Sequence, residues 1–321
     1  MLGERCHGSW YPVSRAESRL SPGSARLRGV PRSVEEPRVT EDSDSTPPRV
    51  ATDRPTAARV YGYCLGGKDN YEVDREGARE GFRRFPEGLD IARQNRLYLY
   101  RAVRYLAAEA GITQFLDLGS GLPTDNNVHQ VAQRFQSGAR VVYVDIDPVV
   151  LAHGEALLVE DANTTVITAD MTRPEQILDH PETHRLIDFD QPVAVLMFSV
   201  PHGIPDDEEA RRAVHGPLER VPSGSYLAIS HVVSEDRDMA ERSNAAAKDF
   251  GMPWKTRTPD VLDAWLRDLE PVEPGLCDIA DWRPDPDQPP LPPVPDDLKP
   301  FEGSSRLGKD FFEYGGVLRK P

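Results

Sequence analysis

The sequence predicts an α/β fold, a mostly parallel sheet with helices on both faces. Apolar, β-branched runs at 112–118, 140–146 and 165–169 alternate with stretches of helical periodicity, the pattern of successive βα units. Each run leads into an acid: Asp117, Asp145 and Asp170. A further run at 192–200, PVAVLMFSV, is apolar almost throughout, as a central strand covered on both faces must be.

Taken in order, residues 1–55 are rich in Ser, Pro, Arg and acids without apolar periodicity and read as a disordered N-terminal extension. The folded domain is expected over 56–321. Its first part, 56–111, is read as a helical lid segment. Within it 90–110 forms a helix, with Asp90 as its cap, Leu99, Val103, Leu106 and Ala110 at helical spacing, and Gly111 as the stop. After the strand at 112–118, helices are expected near 125–136, 148–160 and, short, 173–180, interleaved with strands at 140–146, 165–169 and 192–200. Helices at 206–220 and 236–250 flank a fifth strand at 225–231, and 259–269 is amphipathic. A sixth strand at 275–282, a Pro-rich surface loop at 284–300 and a last strand at 311–319 complete the reading. Sixth and last strands closing as a hairpin make the sheet mixed.

Composition narrows the function. The 321 residues carry a net charge of −15, which disfavours a nucleic-acid partner. Cys6, Cys64 and Cys277 are scattered, with neither metal-ligand nor disulfide spacing, and suit a reducing cytoplasm. No run reaches membrane-spanning length, so no membrane partner is expected. Nothing in the pattern sets the oligomeric state.

The chemistry gathers at the strand ends. FLDLGSGLPT at 115–124 is a strand, a glycine turn through Gly119, Ser120 and Gly121, and then a helix, which lets backbone approach a nucleotide-like ligand. Asp145 closes the next strand, where a carboxylate accepts from both hydroxyls of a ribose. At the third strand end Asp170 can accept from an exocyclic amine while Met171 packs on a purine face. The bland alternative is that each acid solvates a loop or caps a helix.

Four blocks resemble the bacterial S-adenosyl methyltransferase family, a branch of the seven-stranded, Rossmann-like class I methyltransferases: RVYGYCLGGKDNYEVDRE at 59–76, QFLDLGSGLPTDNNVHQVAQ at 114–133, RVVYVDIDPVVLAHGEALL at 140–158 and PSGSYLAISHVVSED at 222–236. The resemblance implies transfer of a methyl group from S-adenosyl-L-methionine, which leaves S-adenosyl-L-homocysteine, to an acceptor expected to be a small molecule. It implies that Asp117, Gly119 and Gly121 shape the methionine and ribose part of the pocket, that Asp145 holds the ribose, and that Asp170 and Met171 meet the adenine. Ser120, Ile146, Tyr63 and Asn70 complete the expected cofactor set. Tyr61-Gly62-Tyr63 replaces the family's more usual Tyr-Asp-Tyr. Two other readings stand beside it. One is a non-catalytic protein that binds the donor or its product. The other is a nicotinamide oxidoreductase, disfavoured because Pro123 stands where a dinucleotide turn carries its third glycine.

His202, after the fourth strand, and His231, at the end of the fifth, are the candidate general bases, against the plainer reading of a loop hydrogen bond. No metal site is expected. The 66–71 segment, GGKDNY, lacks Walker spacing. It reads either as a tight turn capped by Asp69 or Asn70, or as a lid over the donor with Tyr61, Tyr63 and Tyr71. His129 is read as a surface or locally bonded residue.

Overall fold

Strand β1 (Gln114–Leu118) lies at the centre of the sheet with all of its positions buried. It pairs in parallel with β2 (Arg140–Asp145) on one side and β4 (Ala194–Met197) on the other. β3 (Thr164–Thr168) extends the sheet beyond β2, and β5 (Tyr226–Val233) beyond β4, both in parallel. β8 (Phe312–Arg319) then runs antiparallel along β5. The computed structural model describes residues 53–321 except 159, 160, 250, 251 and 307, so the expectation for 1–55 lies almost wholly outside the described residues.

The order is β3-β2-β1-β4-β5-β8-β6, with β6 (Glu270–Pro271) and β7 (Cys277–Asp278) both paired to β8. Among the described residues the sheet has eight strands where seven were expected. In place of the single strand expected at 275–282, short pieces at Glu270–Pro271 and Cys277–Asp278 pair with the free side of β8, and Pro271 and Pro274 have no N–H to continue a ladder.

Two cores sandwich the sheet. On one face α3 (Gly88–Ala108) lays Tyr98, Ala102, Val103 and Leu106 on Phe115, Val141, Leu196, Ala228 and Val317, beside Val128 and Val131 of α4 (Val128–Phe135). On the other, Leu116, Val142 and Val195 meet α6 (Pro174–Leu178), α8 (Asp207–Arg220) and α10 (Pro259–Leu266). α5 (Pro148–Leu158), α7 (Pro181–Leu186) and α9 (Arg237–Asp249) fill the remaining connections.

The N-terminal segment of the described domain consists of α1 (Ala57–Cys64), α2 (Glu72–Arg84) and α3. α2 is capped by Tyr71, whose N–H donates to Asp74 at 2.8 Å; neither Asp69 nor Asn70 does this. Asn70 instead closes its own loop, donating to the Gly67 carbonyl and accepting from Arg75, both at 2.8 Å. α3 begins at Gly88, so Asp90 lies inside its first turn instead of capping it. The Asp90 carboxylate accepts from the Gly303 amide at 2.9 Å and from the Ser305 amide and hydroxyl at 2.9 and 2.8 Å. The Pro-rich loop straps these helices at further points. Gln288 donates to the Leu97 carbonyl and Arg93 to the Pro292 carbonyl, both at 2.7 Å. Asp297 accepts from the Tyr63 hydroxyl and from Arg79.

Candidate functional site at the carboxyl edge of the sheet

The turn after β1 and the acid closing β2 form one unit. Gly119 and Gly121 both take left-handed backbone, φ +76° and +65°, which favours glycine. A Cβ on Gly119 would meet the Val200 methyls at 2.6 and 2.8 Å and the Met171 methyl at 3.1 Å, so Met171 lies against the turn. The Gly119 and Ser120 amides both donate to the Val144 carbonyl, and the Gly121 amide donates to Asp145 Oδ2 at 2.8 Å. Asp145 Oδ1 accepts from the Asp147 amide, so each oxygen keeps a lone pair for a ribose hydroxyl.

The three acids form a stepped row. Asp117 pairs with Tyr143, two residues short of Asp145, and Asp145 pairs with Thr168, two residues short of Asp170. Asp170 accepts from the Thr172 amide and hydroxyl, which fixes its own turn. Ile146 is 67% exposed beside Asp145, an apolar surface of the kind an adenine ring would cover. The hydroxyls of Ser120 and Thr124 are buried with no partner among the described residues, as groups awaiting a polar ligand would be.

Asp117 is nearly enclosed. Burial pushes its carboxyl up to about 7, the Arg96 guanidinium opposes that, and Asp145 adds to it. Arg96, on α3, escaped the sequence reading. It donates to the Asp125 carbonyl at 2.7 Å and to Asn127 Oδ1 at 3.3 Å, which ties α3 to the segment after the turn. A guanidinium and a carboxyl side by side suit the carboxylate and ammonium of a free amino acid. A diphosphate fits poorly. The start of α4 is satisfied internally, since Asn127 and Gln130 form a capping box and Asn127 Oδ1 also accepts from the Thr124 amide. The residues present therefore fit S-adenosylmethionine.

A shallow groove beside the turn runs between α4 and α5, lined by Gly121, Pro123, His129, Tyr143 and Gly154. His129 bonds the Tyr143 hydroxyl through both its amide and Nδ1, the local role read for it. His153 of α5 comes within 3.9 Å of Asp69, so the 66–70 loop edges the helix that follows Asp145. The structure gives Tyr63 and Asn70 no bond to the stepped row. Tyr63 packs with Val294 and Leu298, and Asn70 serves its own loop.

The two histidines require correction as bases. β5 continues to Val233, so His231 is enclosed within the strand and not at its open end. Its Nδ1–H donates to the Val232 carbonyl at 2.7 Å and its Nε2 accepts from Arg257 at 3.0 Å, leaving neither nitrogen for a substrate. His202 sits in a 3-10 turn at Pro201–Gly203, tilted on Trp254 with ring centroids 4.1 Å apart. Its Nδ1 accepts from the Val232 amide at 3.3 Å. Burial, aided by Arg257, holds it down at about 3, so it stays neutral with its accepting nitrogen in use.

Beyond β1 the edge carries a polar network that the sequence did not announce. The Ser199 amide donates to Ser230 Oγ at 2.8 Å, Ser230 Oγ donates to Asn95 Oδ1 at 2.7 Å, and Asn95 Nδ2 donates to the Tyr61 hydroxyl at 2.9 Å. Ser199, at φ +59°, donates its hydroxyl to Glu313 Oε1. The one available signal was an acid inside the otherwise apolar run FFEYGGVL of the last strand.

A Rossmann-like sheet with a glycine turn and a stepped row of acids at its carboxyl edge defines a class I methyltransferase that uses S-adenosylmethionine. The chain belongs to the S-adenosyl methyltransferase family, whose model matches residues 43–321. It is similar to a candidate methyltransferase of Thermobifida fusca at 41% identity, over 87% of this chain and 99% of that one, with a TM-score of 0.70. It is also similar to a DUF574 family protein of Streptomyces avermitilis at 35% identity, over 85% and 100% of the two chains, with a TM-score of 0.71. No curated protein matches it. Among the described residues no helix is long and apolar enough to cross a membrane.

Proposed function

We propose that this methyltransferase modifies a small-molecule acceptor in the cytoplasm, and that it holds its donor across the ends of β1, β2 and β3. The observation that carries the donor site is the junction of Asp145 with the Gly121 amide, which aims one carboxylate across a turn too tight for side chains. Asp145 takes the ribose hydroxyls, Asp170, Met171 and Ile146 border the adenine, and Arg96 and Asp117 clasp the amino-acid end. The unpartnered hydroxyls of Ser120 and Thr124 supply further polar contacts along the turn.

When bound, the donor supplies an electrophilic methyl group on a positively charged sulfur. The chain's own residues position it and exclude water. The strapped lid closes one side, and Val200 and Met171 fill the space against Gly119. Alignment of this kind accounts for much of the acceleration in group transfer. A small acceptor is favoured by the helices covering the strand ends and by the net charge of −15. The free cysteines, Cys64 buried and Cys277 half-buried, accord with a reducing compartment.

Titration calorimetry tests the donor site. S-adenosylhomocysteine should bind the wild type, NAD should give no heat, and Asp145→Ala should lose binding. Equal binding by Asp145→Ala would remove the assignment.

A further inference from the structure

We propose that Glu313 is the proton-accepting catalytic residue of methyl transfer, and that the acceptor is a protic nucleophile, an alcohol, phenol or amine, whose hydrogen meets the free Oε2. The inference rests on the donor site proposed above and adds the acceptor side.

Glu313 stands near the start of β8, opposite Val232 of β5, at the same edge of the sheet as the glycine turn. It is 2% exposed, and its Oε2 has no hydrogen-bond partner among the described residues. Its other oxygen is fixed by the Ser199 hydroxyl. A buried carboxylate oxygen left open costs free energy unless something occupies it, and each such oxygen in a folded protein calls for an explanation. Ser199 is followed directly by Val200, whose methyls cover Gly119 of the donor turn. The group holding Glu313 and the group touching the donor turn are therefore consecutive residues.

The second open valence lies on Tyr61. Asn95 donates to its hydroxyl, and the hydroxyl's own hydrogen has no acceptor among the described residues. Tyr61 feels the charges of both Arg96 and Glu313, so it lies near both groups. An acceptor oxygen or neutral nitrogen both donates and accepts, which complements this pair: its X–H meets Oε2 and its lone pair can receive from Tyr61. A carbon nucleophile lacks that pairing.

As the acceptor's lone pair forms its bond to the methyl carbon, the methyl–sulfur bond breaks with its electrons left on sulfur. The acceptor's hydrogen passes as a proton to Oε2, giving a neutral carboxylic acid. Glu313 suits the task at neutral pH. Burial raises it to about 7, with Ser199 and Ser230 opposing and Asp278 of β7 adding. The other titratable groups that feel it are Tyr61 of α1 and Tyr98 of α3, both held above the usual phenol range by burial and neutral at that pH. A sulfonium nearby favours the carboxylate, whereas the uncharged sulfur of the product does not.

Calorimetry at pH 7 in buffers of different ionisation enthalpy counts the protons released on binding. The wild type should release about half a proton more with S-adenosylmethionine than with S-adenosylhomocysteine, since a group titrating near 7 is half protonated there. Glu313→Gln retains an oxygen for Ser199 and should lose that difference while binding S-adenosylhomocysteine within about threefold of wild type. Equal proton counts in wild type and variant would overturn the proposal. Failure of the wild type to bind S-adenosylhomocysteine would overturn the donor site instead. Should the variant not fold, infrared spectra of wild type labelled with 13C-glutamate decide the matter. Loss of the protonated glutamate band with S-adenosylmethionine supports the assignment, and its persistence rejects it.

Discussion

The two halves of the sheet's carboxyl edge are built on different principles. From β1 to β3 the acids are served by nearby turns: Asp145 by Asp147 and by Gly121 of the turn after β1, Asp170 by Thr172. From β4 to β8 the polar groups are served from far away in sequence. Ser199 meets Glu313 across 114 positions, and Ser230 meets Asn95 across 135. Local wiring needs little beyond neighbouring turns, whereas long-range wiring depends on the whole fold. On the reading proposed above, the first holds the donor and the second faces the acceptor.

The largest effect that would sharpen the contrast is on the donor rim. Asp145→Ala removes charge-assisted bonds to a ribose and unties Gly121, so calorimetry should show S-adenosylhomocysteine affinity falling by about 100-fold or more. Gly119→Ala comes next. A Cβ at positive φ pressed on Val200 and Met171 should cost about 2–3 kcal/mol, seen as a lower Tm by scanning calorimetry. Arg96→Ala should weaken the donor about tenfold, while a decarboxylated analogue should bind wild type and variant alike.

A smaller effect concerns pH. Asp117 and Glu313 each have a folded value of about 7, above that of the unfolded chain, so the folded state binds more protons between about 4 and 7. Stability of the unliganded protein is therefore gained as pH falls through 7 and lost as it rises. Its Tm should climb by a few degrees from pH 7.5 to 6, and the climb should be shallower in Glu313→Gln. The smallest expected effect is none at all. With both rings buried and His202 held near 3, NMR should show neither His202 nor His231 titrating between pH 5 and 8.

Those differences also explain what the sequence disclosed. Asp117, Asp145 and Asp170 were legible because an acid ending an apolar run marks a strand end. The order of elements followed from the same alternation. Arg96 was not legible, because α3 also carries Arg93, Arg101 and Arg104, and only packing distinguishes the one beside Asp117. His231 misled for a local reason. The fifth strand was expected to end at that residue, yet Val232 and Val233 continue it, and β8 runs alongside as far as Val233 and encloses the ring. Asp90 looked like a cap because its partners, Gly303 and Ser305, lie more than 200 positions away.

The bonds of Asp90 to Gly303 and Ser305 bear on how the molecule comes apart. They tie the first turn of α3 to a segment more than 200 positions later, so neither end frays without releasing the other. A protease cut within 284–300 should therefore loosen α1 to α3 before the sheet gives way.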